Sequence, residues 1–175
     1  MIIYMNEQMQ QTVYWGAIAG AAYSAITGVS SFIAVKFLVI DFGPFGGLIN
    51  AGMQAQGFGF GSFLSSILMG VIGGAIGGVI LNLFFDFWLK LARILVGWIF
   101  KITNLFQFYF YPGVTIYVLF GALGLLGADF GGLMFWLINI FGGLIGIYVF
   151  ATLMEQGVGK YYDSIIQGSA SNTNG

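Results

Sequence analysis

The sequence predicts an all-α fold, a polytopic transmembrane bundle of about four spans with one interfacial amphipathic helix. Of the 175 residues, 59% are hydrophobic and 6% are charged, whereas a soluble domain carries about 25% charged residues. The chain also has apolar runs near the ~20 residues that cross the hydrocarbon core of a bilayer, and a segment whose polar residues recur at helical spacing. It is therefore predicted to be an integral membrane protein, with one membrane domain over residues 1–160 and a polar, mobile tail at 161–175.

The first predicted span runs from about Val13 to Val35, after the polar stretch NEQMQQT. Lys36 follows it, and a lysine at the end of a span can extend its ammonium group to the headgroups. Residues 41–62 contain a proline and seven glycines, which predict a loop or a re-entrant segment. The second predicted span runs from Phe63 to about Phe85.

Residues 86–111 are predicted to form an amphipathic helix at the membrane interface. Their polar residues lie three or four positions apart, with Gly97 in the one gap, so they mark one stripe on a helix of 3.6 residues per turn. A narrow polar face beside a wide apolar face is typical of an interfacial helix. The alternative is a further crossing whose stripe faces other helices. The stripe consists of Asp86, Lys90, Arg93, Lys101, Asn104 and Gln107.

Two further spans complete the predicted bundle. The third covers about Gly113–Ala128, after the aromatic stretch QFYFYP, and it is short for a crossing unless it begins within that stretch. The fourth covers about Leu133–Met154, after the turn ADFGG. With four spans, both termini and the 86–111 segment lie on one side, which carries four of the five basic residues. The positive-inside rule then predicts cytoplasmic N- and C-termini, with the cell membrane as the expected location.

Small residues at four-residue spacing predict where the helices pack. Glycine costs a soluble helix about 1 kcal/mol relative to alanine, yet five glycines occur in MGVIGGAIGGVI at 69–80. In lipid, small residues four apart let helix backbones approach closely. The rows pack either the first two spans of one chain together, which we favour, or several copies into an oligomer. The packing positions are Gly16, Gly20, Ser24 and Gly28, then Ser66, Gly70, Gly74 and Gly78, and finally Gly142 and Gly146; Gly73 and Gly77 form a parallel row.

The composition argues against an enzyme, a cofactor site and a metal site. The chain has no Cys and no His, which removes thiolate and imidazole ligands and the usual acid–base group at neutral pH. A net charge of −1 gives no basic field to attract nucleic acid. Asn139 is predicted to bond across helices rather than to line a polar path, because no acidic residue lies inside a predicted span.

The order of segments carries a family resemblance. A polar lead and VYWGAIAGAAYSAITGVSSFIAVKFL come first, followed by a glycine-rich loop, ILNLFFDFWLKL, YFYPGVTIYVLFG and LINIFGGLIGIYVFATLMEQGVGK. Over residues 10–160 this layout resembles that of prokaryotic members of the Yip-domain family of multi-pass membrane proteins. Family members usually have a fifth span, which this sequence does not predict. The resemblance implies no catalysis, and it implies a role in binding partners, as eukaryotic members have in membrane trafficking.

These observations predict a non-enzymatic membrane protein that acts through helix–helix contacts, as an accessory or structural subunit of a larger membrane complex. The expected partners are membrane lipid and either other membrane proteins or further copies of the chain, with no nucleic acid and no cofactor. One alternative is a viral or phage protein that forms an envelope or a membrane lesion. Another is a small channel or transporter, although the two halves of the predicted bundle share no convincing repeat.

Overall fold

The computed structural model describes residues 6–37, 60–125 and 130–171, and its regular structure over these ranges is helical throughout. Four of the helices are long and apolar enough to cross a membrane, which confirms the predicted class: the chain is a multi-pass, all-α membrane protein. Of the loop predicted at 41–62, residues 41–59 lie outside the described ranges, and so does Asp129 of the predicted turn. The helices are α1 (Glu7–Phe37), α2 (Phe60–Leu83), α3 (Phe85–Val96), α4 (Leu105–Leu125) and α5 (Phe130–Ser171).

The four long helices pack in the order α2, α1, α5, α4. The main contacts of α1 are with α2 and α5, and α5 also contacts α4, so α2 and α4 are the edge helices. The start of α1 meets the last part of α5, where the Tyr161 hydroxyl donates to Glu7 Oε1 at 3.0 Å. The end of α2 and the start of α4 lie at this same end of the bundle, because Asn82 and Leu105 bond to α5 there. We call it the α3 end, since α3 joins those two helices.

A compact apolar cluster forms at the α3 end. Its members come from every helix, and they include Phe85 and Leu89 of α3, Phe108 of α4 and Tyr162 of α5. The ring of Phe85 lies 4.5 Å from that of Tyr162, centroid to centroid. α3 therefore buries one face in the bundle and is not an isolated surface helix.

The prediction of one continuous helix over 86–111 is wrong. α3 ends at Val96, residues 97–99 form a turn, and α4 begins at Leu105. Asn104 Oδ1 accepts a hydrogen bond from the Gln107 N–H at 2.9 Å, and Gln107 Oε1 accepts one from the Thr103 N–H at 2.8 Å. This reciprocal pattern marks a helix start. The polar stripe on α3 is thus Asp86, Lys90 and Arg93, while Lys101 lies in the connection and Asn104 and Gln107 cap α4.

Two other predicted boundaries also need correction. α4 begins eight residues before the predicted Gly113 and contains Pro112 inside the helix, which transmembrane helices tolerate because neighbouring groups satisfy the freed carbonyl. α5 continues through the predicted domain boundary at 160 to Ser171. Tyr162 and Ile166 are fully buried, so residues 161–171 belong to a packed helix and not to a mobile tail. Residues 172–175 lie outside the described ranges.

Candidate functional site

α1 and α2 meet backbone to backbone along their rows of small residues. A Cβ atom placed on Gly16 would lie 3.6 Å from Gly78 Cα, and it would overlap the Gly74 carbonyl. One placed on Gly20 would lie 3.0 Å from Gly74 Cα and would overlap the Gly70 carbonyl. No side chain fits between these atoms, so glycine is what permits the approach.

The two rows continue beyond these glycines toward the first residues of α2. A Cβ atom on Gly70 would lie 2.7 Å from Ser24 Cβ. One on Gly28 would lie 3.2 Å from the ring of Phe63 and 3.4 Å from Ser66 Oγ. All eight predicted positions of the two rows therefore lie where α1 and α2 of one chain face each other.

Three glycines of α5 face two different neighbouring helices. A Cβ atom on Gly142 would overlap Ser30 of α1, and one on Gly146 would lie 2.9 Å from Tyr23. Gly143, which the sequence reasoning missed, faces the ring of Tyr117 on α4. The consecutive pair in FGG was the available signal, because adjacent helical positions point about 100° apart and can serve two neighbours.

Asn139 forms a hydrogen bond between α1 and α5. Its Oδ1 accepts from the Ser31 hydroxyl at 2.8 Å, and its Nδ2 donates to the Phe135 carbonyl at 2.9 Å. Both polar ends of the amide are engaged, one across helices and one within α5. Such bonds between membrane helices contribute about 0.6 kcal/mol on average.

A second polar cluster links three helices at the α3 end, and sequence reasoning did not find it. Tyr162 of α5 is fully buried, and its hydroxyl lies 3.0 Å from Thr12 Oγ1 of α1 and accepts from Asn82 Nδ2 of α2 at 3.0 Å. Thr12 Oγ1 donates to the Gln8 carbonyl at 2.7 Å, so the Tyr162 hydroxyl donates to Thr12. No local pattern reveals this set, because its members are separated by as many as 150 positions.

Two carboxylates of α5 meet the start of α4. Asp163 Oδ1 accepts from the Leu105 N–H at 2.8 Å, and Glu155 Oε2 accepts from the Phe106 N–H at 2.7 Å. The first N–H groups of a helix have no partner within the helix and carry a partial positive charge. A Cβ atom on Gly159 would lie 3.1 Å from Glu155 Cδ, so this glycine leaves room for the carboxylate.

Arg93 ties α3 to the same region of α5. Its Nη2 donates to the Ile166 carbonyl at 2.9 Å, whereas Asp86 and Lys90 of the same stripe are exposed. The half-buried arginine of the stripe therefore takes part in packing, and the exposed part of the α3 stripe faces away from the bundle.

An apolar groove of about 680 Å³ runs between the edge helices α2 and α4. α1 and α5 form its floor, and α3 contributes side chains at one end. None of the described residues that line it is charged; the polar atoms in its lining side chains belong to Tyr23, Ser24, Trp88 and Tyr109.

Across the part of the chain that the structure describes, no group of three or more acidic side chains is placed to hold a metal ion. Comparison with family models, curated proteins and solved structures yields no match to the chain.

Proposed function

We propose that this chain is a non-enzymatic membrane subunit that acts through contacts between its helices and those of another membrane protein. The observation that supports the proposal is how the bundle uses its polar groups. Ser31 with Asn139, Thr12 with Tyr162, and Asn82 with Tyr162 all link different helices. Among the described residues, no buried side-chain nitrogen or oxygen lacks a hydrogen-bond partner.

Within the described ranges, the buried polar groups on which a reaction or an ion path could draw thus take part in hydrogen bonds within the chain. The outer faces of the edge helices are apolar: Leu68 and Met69 of α2 and Leu119 and Phe120 of α4 are more than half exposed. In a bilayer such faces are open to lipid or to the helices of a partner. The resemblance of the sequence layout to that of the Yip-domain family, whose eukaryotic members bind partners, is in line with this proposal.

Purification of the tagged chain from its native membranes in mild detergent tests the proposal. We expect a second membrane protein to co-purify at constant stoichiometry and to be crosslinked by a photoreactive residue at Leu119 or at Leu68. The same residue at Ser164, which is exposed on α5 within the α3 end, is the control for capture from outside the membrane.

Two outcomes would contradict the subunit proposal. A closed homo-oligomer that conducts ions in planar bilayers would favour a channel. A chain that elutes alone and forms no crosslink from either edge helix would remove the basis for any partner.

A further inference from the structure

We propose that the groove between α2 and α4 binds one acyl chain of a membrane phospholipid. Its volume of about 680 Å³ falls within the range of about 300–1,000 Å³ that is usual for ligand sites. The described residues of its lining carry no charge, and its walls are apolar residues of the two edge helices, such as Ile80 on α2 and Ile116 on α4. A hydrocarbon chain matches that chemistry, and the proposal stands independently of the partner proposed above.

The second glycine row of α2 keeps this groove open. Gly70, Gly74 and Gly78 are covered by α1, but a Cβ atom on Gly73 or Gly77 would meet nothing within 4 Å. Both of these glycines line the groove. Packing within the chain therefore does not require glycine there, whereas a larger side chain at either position would project into the space proposed for the ligand.

The length of the groove favours an acyl chain over a partner helix. On α2 it extends from Gly70 to Leu81, which at 1.5 Å per residue is about 16 Å. The hydrocarbon core of a bilayer is about 30 Å thick, so the groove covers about one leaflet. A helix that crosses the membrane needs the full thickness, whereas one acyl chain needs half of it.

α3 closes the groove at one end, which also argues against a spanning helix. Trp88, Leu91 and Leu95 line the groove from α3. Lys90 lies about 200° around the helix from Trp88, at about 100° per residue, and it is exposed. α3 therefore presents apolar side chains to the groove and its polar stripe to the opposite side. A straight helix that continued past this end would run into α3, but an acyl chain that entered sideways between α2 and α4 would not.

The test uses a phosphatidylcholine with a diazirine in its acyl chain, reconstituted into vesicles with the full protein. After irradiation, peptide mapping should find adducts concentrated on the groove residues Leu91, Leu95 and Ile116. Phe141 and Ile145 of α5, which are also exposed but do not line the groove, report contact with bulk lipid. Adducts spread evenly over groove and reference residues in the parent protein would overturn the proposal without any variant.

The matched variants fill the groove or leave it open. The double substitution Gly73→Leu with Gly77→Leu should lower the groove adducts to the level at Phe141 and Ile145. Gly61→Leu is the control, because a Cβ atom on Gly61 also meets nothing within 4 Å but this glycine does not line the groove; it should leave the adduct pattern unchanged. Groove adducts that persist in the double variant would contradict acyl-chain binding.

Discussion

Gly73 and Gly74 are neighbours in the sequence with opposite surroundings. A Cβ atom on Gly74 would lie 3.1 Å from Gly20 Cα and would overlap the Gly16 carbonyl, while one on Gly73 would meet nothing within 4 Å. Both glycines carry the same intrinsic cost to a helix. Replacing each by alanine therefore separates the packing role of glycine from its helix propensity.

We expect Gly74→Ala to destabilise the protein by about 1–3 kcal/mol, because overpacking of a tight contact forces the helices apart. Gly73→Ala should be neutral or should stabilise it by up to about 1 kcal/mol through helix propensity. The free energy of unfolding in mixed detergent micelles measures both. Equal stabilities of the two variants would mean that the α1–α2 contact does not depend on its glycines.

At the scale of elements, the start of α4 lies where side chains of α5 accept hydrogen bonds from its first N–H groups. The first two N–H groups of α4 bond to Asp163 and Glu155, and the third bonds to Asn104. These bonds fix the start of α4 beside the last part of α5, which explains why α3 and α4 are separate helices. The polar spacing that suggested one long helix comes from two sources, a stripe on α3 and a cap on α4.

Asp163→Ala should destabilise the protein by about 1–2 kcal/mol, the usual cost of losing an acceptor at a helix start. Asp163→Asn should lose less, because the amide oxygen can still accept from the Leu105 N–H. Thermal unfolding in detergent gives the ranking, with Ser164→Ala as the control, since Ser164 is the exposed neighbour of Asp163. If the Ala and Asn variants unfold together with the control, Asp163 has no role in starting α4.

At the scale of the whole molecule, the basic residues collect at the α3 end. Lys90 and Arg93 lie on α3, Lys101 lies in the connection that follows, and Lys160 lies beside Tyr161, which contacts the start of α1. Lys36 lies near the other end of α1. We therefore propose that the α3 end, with both termini, faces the cytoplasm, as the positive-inside rule predicts.

Single cysteines can test this orientation cleanly, because the chain contains none of its own. An impermeant maleimide added to intact cells should label a cysteine at Gly52, between α1 and α2, and should not label one at Lys101 or Gln167. All three should react after the membrane is permeabilised. Outside labelling at Lys101 would reverse the proposed topology.

The sequence by itself determined the fold class and the helix faces that carry small residues. A spanning helix satisfies its own backbone hydrogen bonds, so a sufficiently long apolar run identifies it without knowledge of any neighbour. The four-residue spacing of Gly70, Gly74 and Gly78 is equally local, because helix geometry alone places these residues on one face.

Only the tertiary structure decided which neighbour each face meets. Periodicity could not show that Gly74 packs against α1 while Gly73 has open space beside it, because both lie on rows of the same kind. It could not find the Thr12–Tyr162 link across 150 positions, nor the carboxylates that start α4 from 49 and 58 positions away. The hydrophobic pattern determines the face of its own helix on which a residue lies. Contacts between helices depend on how those helices are arranged in space.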